Sequence, residues 1–111
     1  MCGIAGYFGK KQLELQQIQS TIDVMKKRGP DHQDFVNIRS DENNIILIHS
    51  RLSIIDLDPR SNQPFRKEDC VLVYNGEIYN YIELRKELQK KGVQFTTSSD
   101  TEVVLNYYLK Y

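Results

Sequence analysis

This chain has no surplus of charge. Lys and Arg together number 15, Asp and Glu together number 15, and the formal net charge is zero. Bulk electrostatics therefore draws it to neither nucleic acid nor an anionic membrane, and no basic tract is long enough to do so locally. Long apolar runs are missing too. The longest stretches, IILI and VLVY, are strand-sized, far short of the roughly 20 residues that a membrane helix needs. Cysteine is scarce, with only Cys2 and Cys70 present. No Cys-x-x-Cys or His-rich spacing accompanies them, so no metal site is expected. A secretory signal needs a basic start and a longer apolar segment than CGIAGYF provides, so a reducing cytoplasm and free thiols are expected. Internal repeats and low-complexity tracts are absent. What remains is a soluble globular sequence of 111 residues, one domain's worth at most and enough to bury a core.

The pattern along the chain predicts an α+β fold. CGIAGYF reads as a buried strand at about residues 2–8, followed by an amphipathic helix over 11–26 in which Leu15, Ile18, Ile22 and Met25 recur at helical spacing. That helix stops at RGPD, where Gly29-Pro30 forbids continuation. DFVNI and NIILIHS, separated by the turn-like SDENN, form a predicted hairpin. VLVY at 71–74 is a further strand running straight into NGE. A helix over 79–91 is expected to end at Gly92, behind Lys90 and Lys91. VQFTT reads as a short strand. Ser99 and Glu102 have capping-box spacing, so a third helix starts at Asp100 and runs to Tyr111 without a stop signal. The sequence thus reads as cut rather than finished. Hairpin-length connections favour antiparallel pairing over a doubly wound sheet.

Cys2 directly after the initiator methionine is the first chemical signal. Myristoylation needs glycine at that position, and a lipid-anchored cysteine needs a longer leader. The residue is thus either an ordinary small hydrophobe of the first strand or a mature N-terminus exposed when Met1 is trimmed. A cysteine at a free N-terminus brings its own base. The α-amine has an unperturbed pKa of about 8, so part of it is neutral near pH 7 and can take the thiol proton. Acyl transfer by a thiol also needs donors for an oxyanion. Asn75 can offer its carboxamide and Gly76 a backbone N–H that no side chain screens. The alternative for Asn75-Gly76 is a simple hairpin turn, since Asn-Gly is its commonest dipeptide. Alternatives stand for the other candidates as well. Arg51 is a surface ion-pair residue or an anion anchor, Glu77 the first-turn acid of a helix or a cation anchor. Asp100 either favours a helix dipole or binds a ligand. His49 reads as structural and Cys70 as a core residue.

Six motifs occur in order: CGIAGYF, RGPD at 28–31, HSRLSIID at 49–56, QP at 63–64, YNGEIYNYIELRKEL at 74–88 and SDTEVV at 99–104. Together they resemble the glutamine-hydrolysing domain of the class II (N-terminal nucleophile) glutamine amidotransferases, in the asparagine synthetase branch. The resemblance implies the N-terminal part of an αββα four-layer sandwich. It implies that Cys2 attacks the side-chain amide of glutamine, with Asn75 and Gly76 as the oxyanion hole. Arg51 then holds the α-carboxylate of glutamine, and Glu77 and Asp100 hold its α-ammonium, the two signs a zwitterion requires.

The sequence departs from that family at Lys27, where His often precedes Arg-Gly-Pro-Asp, and at Ser50, where a second Arg or Glu is common. In Ser61-Asn62 the usual glycine before Gln63-Pro64 is absent, and Asn62 is the expected site of a left-handed turn. The resemblance also implies a missing C-terminal synthetase domain that uses ATP and Mg. No Gly-rich phosphate loop of the SGGxDS kind occurs in these residues, so no cofactor is expected in this chain. An oligomer stays open. Two other readings share the motifs: a glutaminase half serving a sugar or antibiotic precursor as nitrogen acceptor, and an inactive glutamine-binding fragment.

Overall fold

The computed structural model describes residues 1–111. Its elements are β1 (Gly3–Gly9), α1 (Leu15–Met25), β2 (His32–Ser40), β3 (Asn43–Arg51), β4 (Phe65–Lys67), β5 (Cys70–Leu72), α2 (Tyr81–Lys90) and α3 (Asp100–Lys110). A single 3-10 turn at Pro59–Ser61 interrupts the long connection between β3 and β4. The result is a mixed α/β chain with two antiparallel sheets, one of order β1-β3-β2 and the other β4-β5.

Strand β3 takes the centre because its run of Ile45, Ile46, Leu47 and Ile48 is apolar on both faces. The β2–β3 hairpin closes through Asp41 and Glu42, with Asp41 at φ +52, a conformation that aspartate tolerates better than most residues. Register then decides the faces. Tyr7 stands opposite Ile46, Ala5 opposite Ile48, and Phe35 opposite Ile48 from the other side. This face receives Ile18, Ile22 and Met25 of α1, making one core with Ile46 and Ile48. Burying each such side chain contributes about 1.5–3 kcal/mol. An isolated helix of 11 residues is marginal in water, so the sheet is what keeps α1 folded.

The second layer is smaller. Helices α2 and α3 pack together, and α3 lies on the β4–β5 hairpin, burying Leu88, Val103, Leu105 and Phe65. Helix α2 ends in a Schellman pair, with Gly92 N–H donating to Gln89 O and Val93 N–H to Leu88 O, each at 3.0 Å. Gly92 holds φ +86, the left-handed region the pair needs.

Several boundaries differ from the sequence expectation. Helix α1 begins at Leu15, where Glu14 N–H donates to the Gln17 side chain at 2.9 Å, and not at 11. Helix α2 begins at Tyr81, so Glu77 lies outside its first turn. Residues 93–97 form no strand. Their polar groups are taken by side chains: Gln94 O accepts from Lys67 Nζ, and Thr96 and Thr97 N–H donate to the Glu102 carboxylate at 2.9 and 2.7 Å. The predicted strand through Tyr74 stops at Leu72, because both peptide groups of Tyr74 are held by side chains described below. Cys70 opens β5 half-buried, outside the core cluster.

Glu102 explains the cap of α3. Ser99 Oγ accepts from Glu102 N–H at 3.3 Å, but the Glu102 carboxylate does not return to Ser99. It is fully buried and accepts from both the N–H and the hydroxyl of Thr96 and of Thr97. Replacing it strands those donors. Glu102→Ala is expected to destabilise the chain by about 3–5 kcal/mol, and Leu105→Val, on the same helix, by about 1 kcal/mol. Urea midpoints for the two variants that differ little contradict this account of the loop.

Candidate active site

Antiparallel pairing sets the start of β1 beside the end of β3, with Gly3 opposite Ser50. Cys2 therefore arrives next to the residue that follows β3. Leu52 N–H donates to Cys2 Sγ at 3.3 Å, and the thiol reaches Leu52 O at 3.7 Å. The RGPD motif seats this junction. Gly29 crosses the Ser50 peptide so closely that a Cβ would lie 2.2 Å from the Ser50 carbonyl. Asp31 N–H donates to Arg51 O, the Asp31 carboxylate accepts Ser53 N–H at 2.7 Å, and the Gln33 side chain donates to Gly29 O at 2.7 Å.

Arg51 is buried and forms no ion pair, so it is not a surface salt-bridge residue. Its terminal nitrogens hold the following loop. One donates to Asp58 O at 3.3 Å and Asn62 Oδ1 at 2.6 Å, the other to Ile55 O at 3.1 Å and to Asp56 O. The left-handed residue of this loop is Asp56, at φ +50, whereas Asn62 is extended at φ −65. The expected turn at Asn62 is thus displaced, and Asn62 instead supplies a side-chain acceptor to Arg51.

Segment 73–78 faces Cys2 across a cavity of about 350 Å³. Asn75 and Gly76 are not a hairpin turn: no strand follows them, and neither has a positive φ. The Tyr74 ring lies against Gly76, where a Cβ would approach its hydroxyl to 2.7 Å. Burial raises the Tyr74 phenol, and the charges of Asp100 and Glu77 raise it further. Asp100, almost fully buried at the start of α3, accepts Ile78 N–H at 3.1 Å. All six residues selected from the sequence, Cys2, Arg51, Asn75, Gly76, Glu77 and Asp100, line this one cavity.

The sequence reading placed Gln63 in a motif but gave it no role; its carbonyl accepts Tyr74 N–H and its amide donates to Thr101 Oγ1 at 3.2 Å. A Gln before a Pro in a loop carries no local signal of such a bridge. His49 is fully buried, with Nε2 at 3.2 Å from Tyr74 O. A carbonyl only accepts, so the proton sits on Nε2 and Nδ1 is the bare nitrogen.

The model of the glutamine amidotransferase domain matches residues 1–111. The chain belongs to this family. Asparagine synthetase [glutamine-hydrolyzing] 3 of Bacillus subtilis is 38% identical over 100% of this chain. Asparagine synthetase B [glutamine-hydrolyzing] of Escherichia coli is 37% identical over 97% of it. A fungal relative from Gibberella zeae, named amidase chry2, is 33% identical over 100% of the chain. These matches span 18%, 19% and 18% of the relatives' own length, so this amidotransferase chain corresponds to less than a fifth of each. No helix in it is long and apolar enough to cross a membrane.

The electrostatics of this amidotransferase site give a pH signature. Burial pulls the His49 imidazole from 6.5 down to about 4, opposed by the Tyr74 carbonyl and aided by the charges of Arg51 and His32. The unfolded chain therefore binds more protons than the folded one between those values. Stability from this group is complete above pH 6.5 and is lost as pH falls towards about 4. Asp56 acts lower. Its burial opposes ionisation, but N–H donors from Ser98 and Asp58 bring the carboxyl net below its usual 3.8, so it matters only beneath that pH. The urea midpoint is expected to decline from pH 6.5 to 4.5, less steeply in His49→Gln than in the wild-type chain. Equal slopes in the two contradict the burial of a neutral His49.

Proposed function

We propose that this chain is the glutamine-hydrolysing part of a longer asparagine synthetase-like enzyme, with Cys2 as nucleophile once Met1 is removed. The observation that carries this reading is the convergence of the six residues on one cavity wall from four separate segments. Chain continuity alone explains only the neighbours Asn75, Gly76 and Glu77.

Glutamine enters with its α-carboxylate towards the unpaired charge of Arg51 and its α-ammonium towards Asp100 and Glu77. Because the terminal nitrogens of Arg51 already hold the loop, its charge and Nε–H are what remain for the carboxylate. The freed α-amine of Cys2 takes the thiol proton, and sulfur attacks the carboxamide carbon. Negative charge develops on oxygen, where the Asn75 carboxamide and Gly76 N–H donate. The C–N bond then breaks, the amine returns its proton to the leaving nitrogen, and ammonia departs. Water hydrolyses the γ-glutamyl thioester to glutamate and restores the thiol.

In the longer protein the ammonia would convert aspartate to asparagine at the expense of ATP, with Mg binding the nucleotide in a further domain. No Gly-rich stretch of the SGGxDS kind occurs in these 111 residues. The rest of the amidotransferase domain completes the four-layer sandwich over the sheet face opposite α1, where Ile4 and Phe8 are 50% and 70% exposed. A second reading, a different nitrogen acceptor, is favoured by one observation: fungal relatives named amidases match the same region at similar identity.

Two measurements test the site in the full-length protein. 6-Diazo-5-oxonorleucine is expected to alkylate Cys2 and spare Cys70, since only Cys2 lines the cavity. Equal labelling of both, read by peptide mass spectrometry, rejects Cys2 as the nucleophile. Asn75→Ala is expected to lower kcat for glutamine hydrolysis on the order of 10²–10³-fold, by loss of one oxyanion donor, at a nearly unchanged melting temperature. A lowered melting temperature with kcat per folded molecule preserved defeats the oxyanion role.

A further inference from the structure

The segment carrying Asn75 and Gly76 has no strand neighbour to fix it. The ladder of β4 and β5 ends at Leu72, and α2 does not begin until Tyr81. Backbone placed beside a substrate cavity without such support ought to wander. Instead, Tyr74 is held at both of its peptide groups. Gln63 Oε1 accepts its N–H, and His49 Nε2–H donates to its C=O at 3.2 Å. Each holder is buried, His49 fully and Gln63 at 6% exposure, and each is anchored elsewhere. His49 stands in the middle strand of the three-stranded sheet, while Gln63 is tied to Thr101 of α3.

Resting on the functional reading above, we infer that His49 and Gln63 are positioning residues that aim the oxyanion donors. They clamp the Tyr74 peptide groups, and the Asn75 and Gly76 amides follow one and two residues on. His49 does not line the cavity, and Gln63, which does, acts here through the Tyr74 N–H it holds.

Three features set this apart from ordinary core packing. His49 follows the apolar run Ile45–Ile48 of β3, yet it is a hydrogen-bond donor, aimed at the one carbonyl immediately before Asn75. Its Nδ1 is buried without a partner, a cost that an aliphatic side chain avoids. The carbonyl it holds is separated from it by 25 residues, so no local turn or helix explains the contact. A clamp on one peptide also acts on geometry more than on affinity. The anchors proposed for the amino acid end, Arg51, Glu77 and Asp100, are different residues.

The test compares kcat and KM for glutamine hydrolysis in the full-length protein for His49→Leu, His49→Gln and Gln63→Leu, each with its melting temperature. A misplacement of about 1 Å costs on the order of 10²-fold in rate. His49→Leu is therefore expected to lose on that order in kcat per folded molecule with little change in KM. His49→Gln, whose amide can still donate to Tyr74 O, is expected to recover most of the loss. Should His49→Leu fail to fold, Gln63→Leu removes the other half of the clamp and is expected to give the same separation of kcat from KM. Wild-type kcat per folded molecule in His49→Leu or in Gln63→Leu overturns the inference, as does an equal loss in His49→Gln and His49→Leu. Glutamine hydrolysis that survives Cys2→Ala in the full-length protein overturns the functional reading itself, and the clamp with it.

Discussion

The end of β3 buries three polar residues in a row. His49, Ser50 and Arg51 are between 0% and 5% exposed. Polar groups removed from water must find partners or lose several kcal/mol each. These three find them in three directions. Ser50 Oγ donates to Met25 O at the close of α1, His49 reaches Tyr74, and Arg51 gathers the loop that runs to Asn62. One stretch of strand thereby ties the first helix, the cavity loop and the segment opposite Cys2 to the same rigid sheet.

The irregular segments in and around the cavity are held the same way, with side chains standing where a ladder would stand in a regular sheet. Gln63 serves the Tyr74 N–H, Asp100 serves Ile78, Asp31 serves Ser53, and Glu102 serves Thr96 and Thr97. Irregular backbone beside a ligand cavity is open to approach, since its amides are not committed to a neighbouring strand. The cost is a concentration of buried polar side chains, each of which must be right. It also explains why charges at the wall are unequal in kind. Arg51 faces no carboxylate partner within the chain, and Asp100 no cation, so neither charge is neutralised by an ion pair.

Family membership fits this construction without depending on any one contact. The relatives match the chain from end to end, and the matched part is a small share of each. Ile4 and Phe8 on the outer face of β1, and Tyr108 and Tyr111 at the end of α3, are exposed in this chain.

Much was legible from residues alone, for a physical reason: those features are local. The periodicity of Ile18, Ile22 and Met25 gave α1, the apolar runs gave β1 and β3, and Ser99 gave the start of α3. The six cavity residues were readable as well, because acid, amide, thiol and guanidinium in those motifs carry the family's pattern. The structure alone decided how the pieces are held. VQFTT has a strand's composition but no partner strand, and its amides go to Glu102, which also takes that side chain out of its capping box. Cys70 has a core residue's chemistry but sits in a two-stranded ribbon at the edge. Arg51 reads as an anchor for a ligand yet spends its terminal nitrogens on its own loop. Such assignments depend on which residues, tens of positions apart, become neighbours. Composition and spacing do not encode that neighbourhood; the antiparallel register of β1 on β3, and the layer of α3 against β4, create it.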